Sequence, residues 1–171
     1  MWWSERVRLV VLKTPAILCL VFALQISGCG FRLQGVVDYP EFMAMTHIDT
    51  RDRYTAFYRG LHESLERGGV EVVDSVVAAG ALIRIEEDRT GQKVLTVSGR
   101  NVPTEYDVFY SVTYSVWQDG VEVLPSRTLV KRQDYTYDTT LILGKSREEQ
   151  ELRQAIATEL VRQVSQQLSR L

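Results

Sequence analysis

Cysteine is nearly absent from this 171-residue chain. It occurs at Cys19 and Cys29 and nowhere beyond. The part after residue 29 therefore has neither a disulfide nor a thiolate metal site, whatever the redox state of its compartment. Histidine is as scarce: His47 and His62 fall in different predicted elements with no metal-ligand spacing. No metalloprotease helix motif, nucleophile elbow or phosphate-cradling glycine loop is present. The acidic pairs Glu86-Glu87 and Glu148-Glu149 are sequence neighbours, so they do not converge on one substrate. These absences argue against an enzyme and against a resident metal or cofactor. Charge of one sign is missing too. With 20 basic and 22 acidic residues, net −2, the chain lacks the electrostatic footprint of a nucleic-acid binder. No internal repeat or low-complexity stretch appears, and nothing after residue 29 reads as a transmembrane helix.

What is present begins with a leader. Arg6, Arg8 and Lys13 form a basic start, residues 16–24 form an apolar run of secretory-signal length, and small residues then precede a cysteine. Ile26-Ser27-Gly28-Cys29 resembles the lipobox of bacterial lipoproteins. The resemblance implies removal of residues 1–28, a diacylglyceryl group on Cys29 and acylation of its new amino terminus. Stable anchoring takes at least two hydrophobic signals, which a tri-acylated cysteine supplies without spanning the bilayer. Gly30, in place of Asp after the cysteine, favours the outer membrane by the same resemblance. Cleavage leaves 143 residues, enough for one domain with its own core. It removes Arg6, Arg8, Lys13 and Glu5, which takes the net charge from −2 to −4. An anionic ligand then needs a local basic patch.

Residues 29–42 read as a lipidated tether and residues 43–171 as a single domain. A first strand is expected over 44–49. Tyr54, Phe57, Tyr58, Leu61 and Leu65 follow helical spacing, closed by Gly68-Gly69. Strands are expected over 70–73, 81–87 and 92–98, with a turn at Gly99-Arg100-Asn101. The clearest β signal is residues 105–117, where Tyr106, Val108, Tyr110, Val112, Tyr114 and Val116 take every second place on one face. Its length predicts a bulge or a protruding end. Asp119-Gly120 marks a hairpin, and the return strand is expected over about 128–137. Ser146 to Glu149 reads as a capping box for a last helix. Leu152, Ile156, Leu160, Val164 and Leu168 form its buried stripe, with Arg153, Arg162, Gln166 and Ser169 on the opposite face. The fold class is thus α+β: a two-layer sandwich with two helices on one face of a mostly antiparallel sheet of about four strands.

Several stretches together resemble the LPS-assembly lipoprotein family, LptE. They are Gly28-Cys29-Gly30-Phe31-Arg32-Leu33 at the lipidation site, Gly69-Val70-Glu71-Val72-Val73 after the first helix and Thr104-Glu105-Tyr106 opening the long strand. Leu143-Gly144-Lys145 then runs into Glu148-Glu149 and the last helix. With the element order, the resemblance spans nearly the whole mature chain. The short C-terminal end and the few basic residues in the first strand depart from some members. The resemblance implies a non-enzymatic protein that plugs the outer-membrane β-barrel LptD, helps that barrel fold and takes part in lipopolysaccharide transport, with possible direct binding of lipopolysaccharide. It places basic residues about Lys145 and, offset from Gly99, Arg100. If the loops converge, these two form a clamp for lipid phosphates. The apolar triplet Leu141-Ile142-Leu143 before the last helix is a candidate barrel contact. Two other classes stay open on the residues alone: a pilot lipoprotein for a different outer-membrane channel, and a carrier with an apolar lipid cavity.

Overall fold

A computed structural model describes residues 37–137 and 142–171, with side chains from Ser146 onward in the second segment. Three long strands carry the fold: β3 (Ala81–Val97), β4 (Pro103–Gln118) and β5 (Val121–Thr136). They pair as an antiparallel meander. Two shorter strands, β1 (Met45–Asp49) and β2 (Glu71–Val72), complete a five-stranded sheet of order β2-β1-β3-β4-β5. Helix α1 (Ala56–Arg67) lies between β1 and β2 in the chain, and α2 (Ile142–Leu168) follows β5. The α+β sandwich of the sequence reading is borne out, with one strand more than expected. Both pairings of β1, to β2 and to β3, are parallel.

The alternation in β4 does what its period requires. Val108, Tyr110, Val112, Tyr114 and Val116 are buried with Phe57, Leu61 and Leu65 of α1 and with Ile156, Leu160, Val164 and Leu168 of α2. Two tyrosines of this row also bind the helices through their hydroxyls. Tyr110 Oη accepts from the Phe57 N–H at 3.3 Å, which satisfies a first-turn donor of α1. Tyr114 Oη donates to Gln167 of α2 at 2.5 Å. Between the helices, Ser64 and Ser165 hydroxyls lie 2.9 Å apart.

Helix α1 starts at Thr55, whose hydroxyl accepts from Tyr58 N–H at 3.1 Å. It ends as a Schellman motif: Gly69 N–H donates to Glu66 O, Val70 N–H to Leu65 O, and Gly69 holds φ of 82°. Val70 and Leu65 are both buried, supplying the apolar contact that accompanies this stop. At the β4–β5 turn, Asp119 and Gly120 both have positive φ, as a two-residue hairpin of the right twist demands.

Four expectations change. The strands read over 81–87 and 92–98 are one strand, β3. Its polar middle pairs with β4 through register shifts at Ile85/Glu87 and Val94/Thr96, and Gly91 lies under the Phe109 ring, where a Cβ would come within 2.7 Å of the ring edge. Ser146 is not the cap of the last helix, which begins at Ile142, so Ser146 lies inside it. A side-chain cap is worth only about 1 kcal/mol, and Glu149 pairs instead with Arg153 one turn on, Arg153 Nε donating at 3.0 Å. Arg153 in turn is half-buried towards the sheet, its Nη1 donating to Thr90 Oγ1 at 2.8 Å, and does not lie on the solvent face. The packed part also begins upstream of residue 43. Tyr39 lies against Gly68, and Met43, at the end of a 3-10 turn (Glu41–Met43), is fully buried.

Candidate functional site

The sheet is longer than the helices that cover it, and its far end is formed by the β3–β4 turn. Ser98, Gly99, Arg100 and Asn101 make that turn. Asn101 holds φ of 60°, and its N–H donates to Ser98 O at 2.9 Å. Ser98 N–H closes the hairpin on Val102 O at 2.8 Å. Arg100 is exposed at the tip. Around it Val94, Leu95, Val97 and Val102 are all exposed, so the tip is apolar as well as cationic. Bulges at Val94/Thr96 and Thr96/Val97 also interrupt the alternation of β3 here.

Just inside the tip, on the helix-covered face, three tyrosines meet. Tyr106 and Tyr135 stack with centroids 5.7 Å apart, and Tyr137 stands edge-on to Tyr106 at 5.3 Å. Tyr137 N–H donates to Thr104 O, so the chain leaves β5 beside the tip hairpin. Burial, with Glu149 and the neighbouring tyrosines adding to it, pushes the Tyr135 hydroxyl up to about 12. It stays protonated at neutral pH, and the hydroxyl is engaged within the domain, 3.3 Å from the Gln92 side-chain amide and hydrogen-bonded to Glu149. The sequence reading ended a strand at Tyr137 without seeing this trio. The Tyr135-x-Tyr137 alternation opposite Tyr106 is the signal that would have found it.

Helix α2 enters at this same end. Glu149 and Arg153 sit beside Thr90, and the helix runs from there towards Gln167 beside Tyr114. Lys145, one turn before Glu149, is therefore ~6 Å nearer the tip along the axis. It lies in the first turn of the helix and not before it. The fold thus carries the elements of Arg100 and Lys145 to one end of the sandwich. The Lys145 side chain, like Ile142 and Leu143 of the apolar triplet, lies outside the described side chains, and Leu141 lies outside the described residues. So do residues 1–36, including Cys29 and the leader.

The histidines are held apart. His47 in β1 is buried, with Nδ1 2.8 Å from Val73 O, and His62 in α1 lies 3.3 Å from Glu66. Burial raises the Asp88 carboxyl above its usual range, and Asp88 accepts from Thr55 at 2.5 Å. This carboxylate ties the α1 cap to β3 and faces no cleft chemistry. The uncovered face of the sheet is closed by polar ladders. Glu86 accepts from Ser115 and Ser126, Thr113 meets Thr128 at 2.8 Å, and Arg132 donates to Asp107 at 2.6 Å.

Known proteins share this architecture. A rare lipoprotein B from Shewanella oneidensis superposes with a TM-score of 0.64 at 23% identity, covering 73% of this chain and 93% of that one. A lipoprotein B from Nitrosomonas europaea gives 0.68 at 20% identity, over 82% and 90%. At these identities the likeness concerns fold. In sequence, the LPS-assembly lipoprotein LptE of Yersinia enterocolitica is 25% identical over 155 residues, 86% of this chain and 75% of the relative. That of Yersinia pestis matches to the same extent. The family described as lipopolysaccharide-assembly, LptE, matches residues 44–168, which takes in every strand and both α-helices among the described residues. This chain belongs to the LptE family of lipopolysaccharide-assembly lipoproteins.

Proposed function

We propose that this protein is anchored in the outer membrane through Cys29, assists the assembly of an LptD-type β-barrel, occupies its lumen as a plug, and takes part in delivering lipopolysaccharide to the cell surface. The observation that carries the reading is the family match across residues 44–168. The domain's form supports it. A β3–β4 hairpin projects past the helices with an apolar, cationic tip, and the open sheet face carries paired polar side chains suited to a wet lumen. The chemistry is binding and positioning, not catalysis.

Lipopolysaccharide presents phosphates on an apolar base, so its recognition needs cations beside apolar surface. Arg100 stands among Val94, Leu95, Val97 and Val102. Lys145 occupies the first turn of α2, where a cation opposes the helix dipole and is costly unless an anion sits there. We assign Arg100 and Lys145 as the candidate cations for lipid phosphates at this end of the sandwich. Two experiments test the reading. Co-purification with a detergent-solubilised barrel is expected, and isolation with soluble periplasmic proteins alone, or with a different channel, refutes the plug. Arg100→Asp with Lys145→Asp is expected to weaken lipopolysaccharide binding without lowering thermal stability. Unaltered affinity in the folded double variant removes the clamp and leaves the structural plug.

A further inference from the structure

The end of the domain opposite the tip has an apolar surface of its own. The chain passes from β2 to β3 by crossing β1 on the open face, over His47, whose Nδ1 meets Val73 O. This crossover has no polar side chain from Val76 to Leu82. Loops at a water-exposed surface are ordinarily built from Gly, Pro, Asn, Asp and Ser, because backbone and solvent both favour them there. Here Val77 is 97% exposed and Val76 54% exposed. A short 3-10 turn (Val76–Ala78) presents both valines outward. Between this turn and the β4–β5 hairpin lies a groove of about 440 Å³, lined by Val76, Val77, Leu82 and Trp117, with Arg84 and Asp119 as its charged residues. Met45, 40% exposed, continues the apolar surface beside Gly80, whose N–H donates to Met45 O.

The position of the N-terminal segment decides what covers this surface. Val37 O and Tyr39 pack on Gly68 at the C-terminal end of α1. Glu71 then pairs with Met45, Thr46 with Ala81, and Ala81 with Gln118. The entry of the chain, the crossover and the Asp119-Gly120 hairpin are therefore at one end of the sheet. Seven residues lie between Cys29 and Val37, eight steps along the chain. Fully extended these steps reach ~28 Å, so a lipid on Cys29 keeps this end of the domain within that distance of the bilayer. Trp117 is half-buried at the floor of the groove, its N–H donating to Ser115 Oγ at 3.1 Å and Arg84 lying over its ring at 5.5 Å. Two valines on a short uncharged turn beside this ring and its cation match the chemistry of an interfacial zone. We propose that the Val76–Val77 turn and the Trp117 groove rest in the headgroup region of the membrane, as a second, non-covalent contact beside the lipid anchor. This rests on the reading of Cys29 as the anchored residue.

Trp117 is the only tryptophan after residue 29, which makes the site its own reporter. The lipidated mature protein is reconstituted in vesicles of phosphatidylethanolamine and phosphatidylglycerol with brominated acyl chains, and the N-terminal peptide is checked by mass. Trp117 emission is expected to be quenched. Val77→Asp, which changes an exposed side chain, is expected to keep the protein on the vesicles and its melting temperature unchanged while most of the quenching is lost. A tryptophan at Val102 on the tip, in a Trp117→Phe background, is expected to escape quenching. Vesicle-bound, acylated protein with unquenched Trp117, or quenching indifferent to Val77→Asp, overturns the contact while leaving the anchor in place. Cross-linking of a photoreactive residue at Val77 to protein and not to lipid overturns it as well. An unacylated chain that stays off the vesicles overturns both readings.

Discussion

Gly60 of α1 faces Val161 of α2 so closely that a methyl group on Gly60 would lie 3.1 Å from Val161 Cγ2. The two helices meet where one has no side chain, and the neighbouring Ser64–Ser165 pair shares this close approach. Gly60→Ala is expected to be near neutral. The helix gains about 1 kcal/mol of propensity, and Val161 must yield by a few tenths of an ångström. Gly60→Leu forces the helices apart and is expected to cost about 1–3 kcal/mol, as overpacking does. Urea unfolding of the two variants checks the contrast.

The α2 stripe carries the second prediction. Leu160 is fully buried and Ile156 is 5% exposed. Leu160→Ala is expected to cost about 2–5 kcal/mol. Ile156→Asp is expected to cost more, because it buries an unpaired charge. Ile156→Asp with an unchanged thermal midpoint would mean that the stripe faces solvent.

Asp88 gives a pH dependence of determinate sign. Burial raises its carboxyl, with Asp52 adding to the rise, while hydrogen bonds from Thr55 and Tyr110 work against it. A carboxyl raised on folding contributes stability at low pH, and that contribution is lost as pH climbs from the unfolded value near 3.9 through the raised folded value. Asp88→Asn keeps an acceptor for Thr55 and has nothing to titrate. Relative to the parent, it is expected to gain stability from pH 4 to pH 7. Denaturant unfolding at both pH values measures this, and a parallel pair of profiles counts against a buried, strained carboxylate.

Cys29→Ala tests the anchor. The expected result is loss of the tri-acylated N-terminal peptide in mass spectrometry and loss of outer-membrane fractionation. Folding is expected to be retained, since Cys29 precedes the first element of the packed domain, the 3-10 turn at Glu41–Met43. A mature chain beginning elsewhere than Cys29 refutes the lipobox reading.

The parts of this protein that were readable in one dimension are those whose signal is local. The two-residue period of β4, the four-residue stripe of α2, the Gly68-Gly69 stop and the Asp119-Gly120 turn each depend on residues within a few positions of one another, and each stands where the spacing put it. The family too was legible, because its motifs are short and ordered along the chain. The remainder rests on partners distant in sequence. The run from Asp88 to Gly91 fell between two expected strands, yet it is strand because β4 supplies its hydrogen bonds, Thr55 satisfies Asp88, and Phe109 covers Gly91. Ser146-x-x-Glu149 obeys a capping rule, but Glu149 found Arg153, which Thr90 holds from another element. That β1 lies between β2 and β3 in parallel, forcing an apolar crossover onto the open face, is written in no local pattern. Only the assembled sheet decides it, since strand order is settled by which faces and edges are buried together.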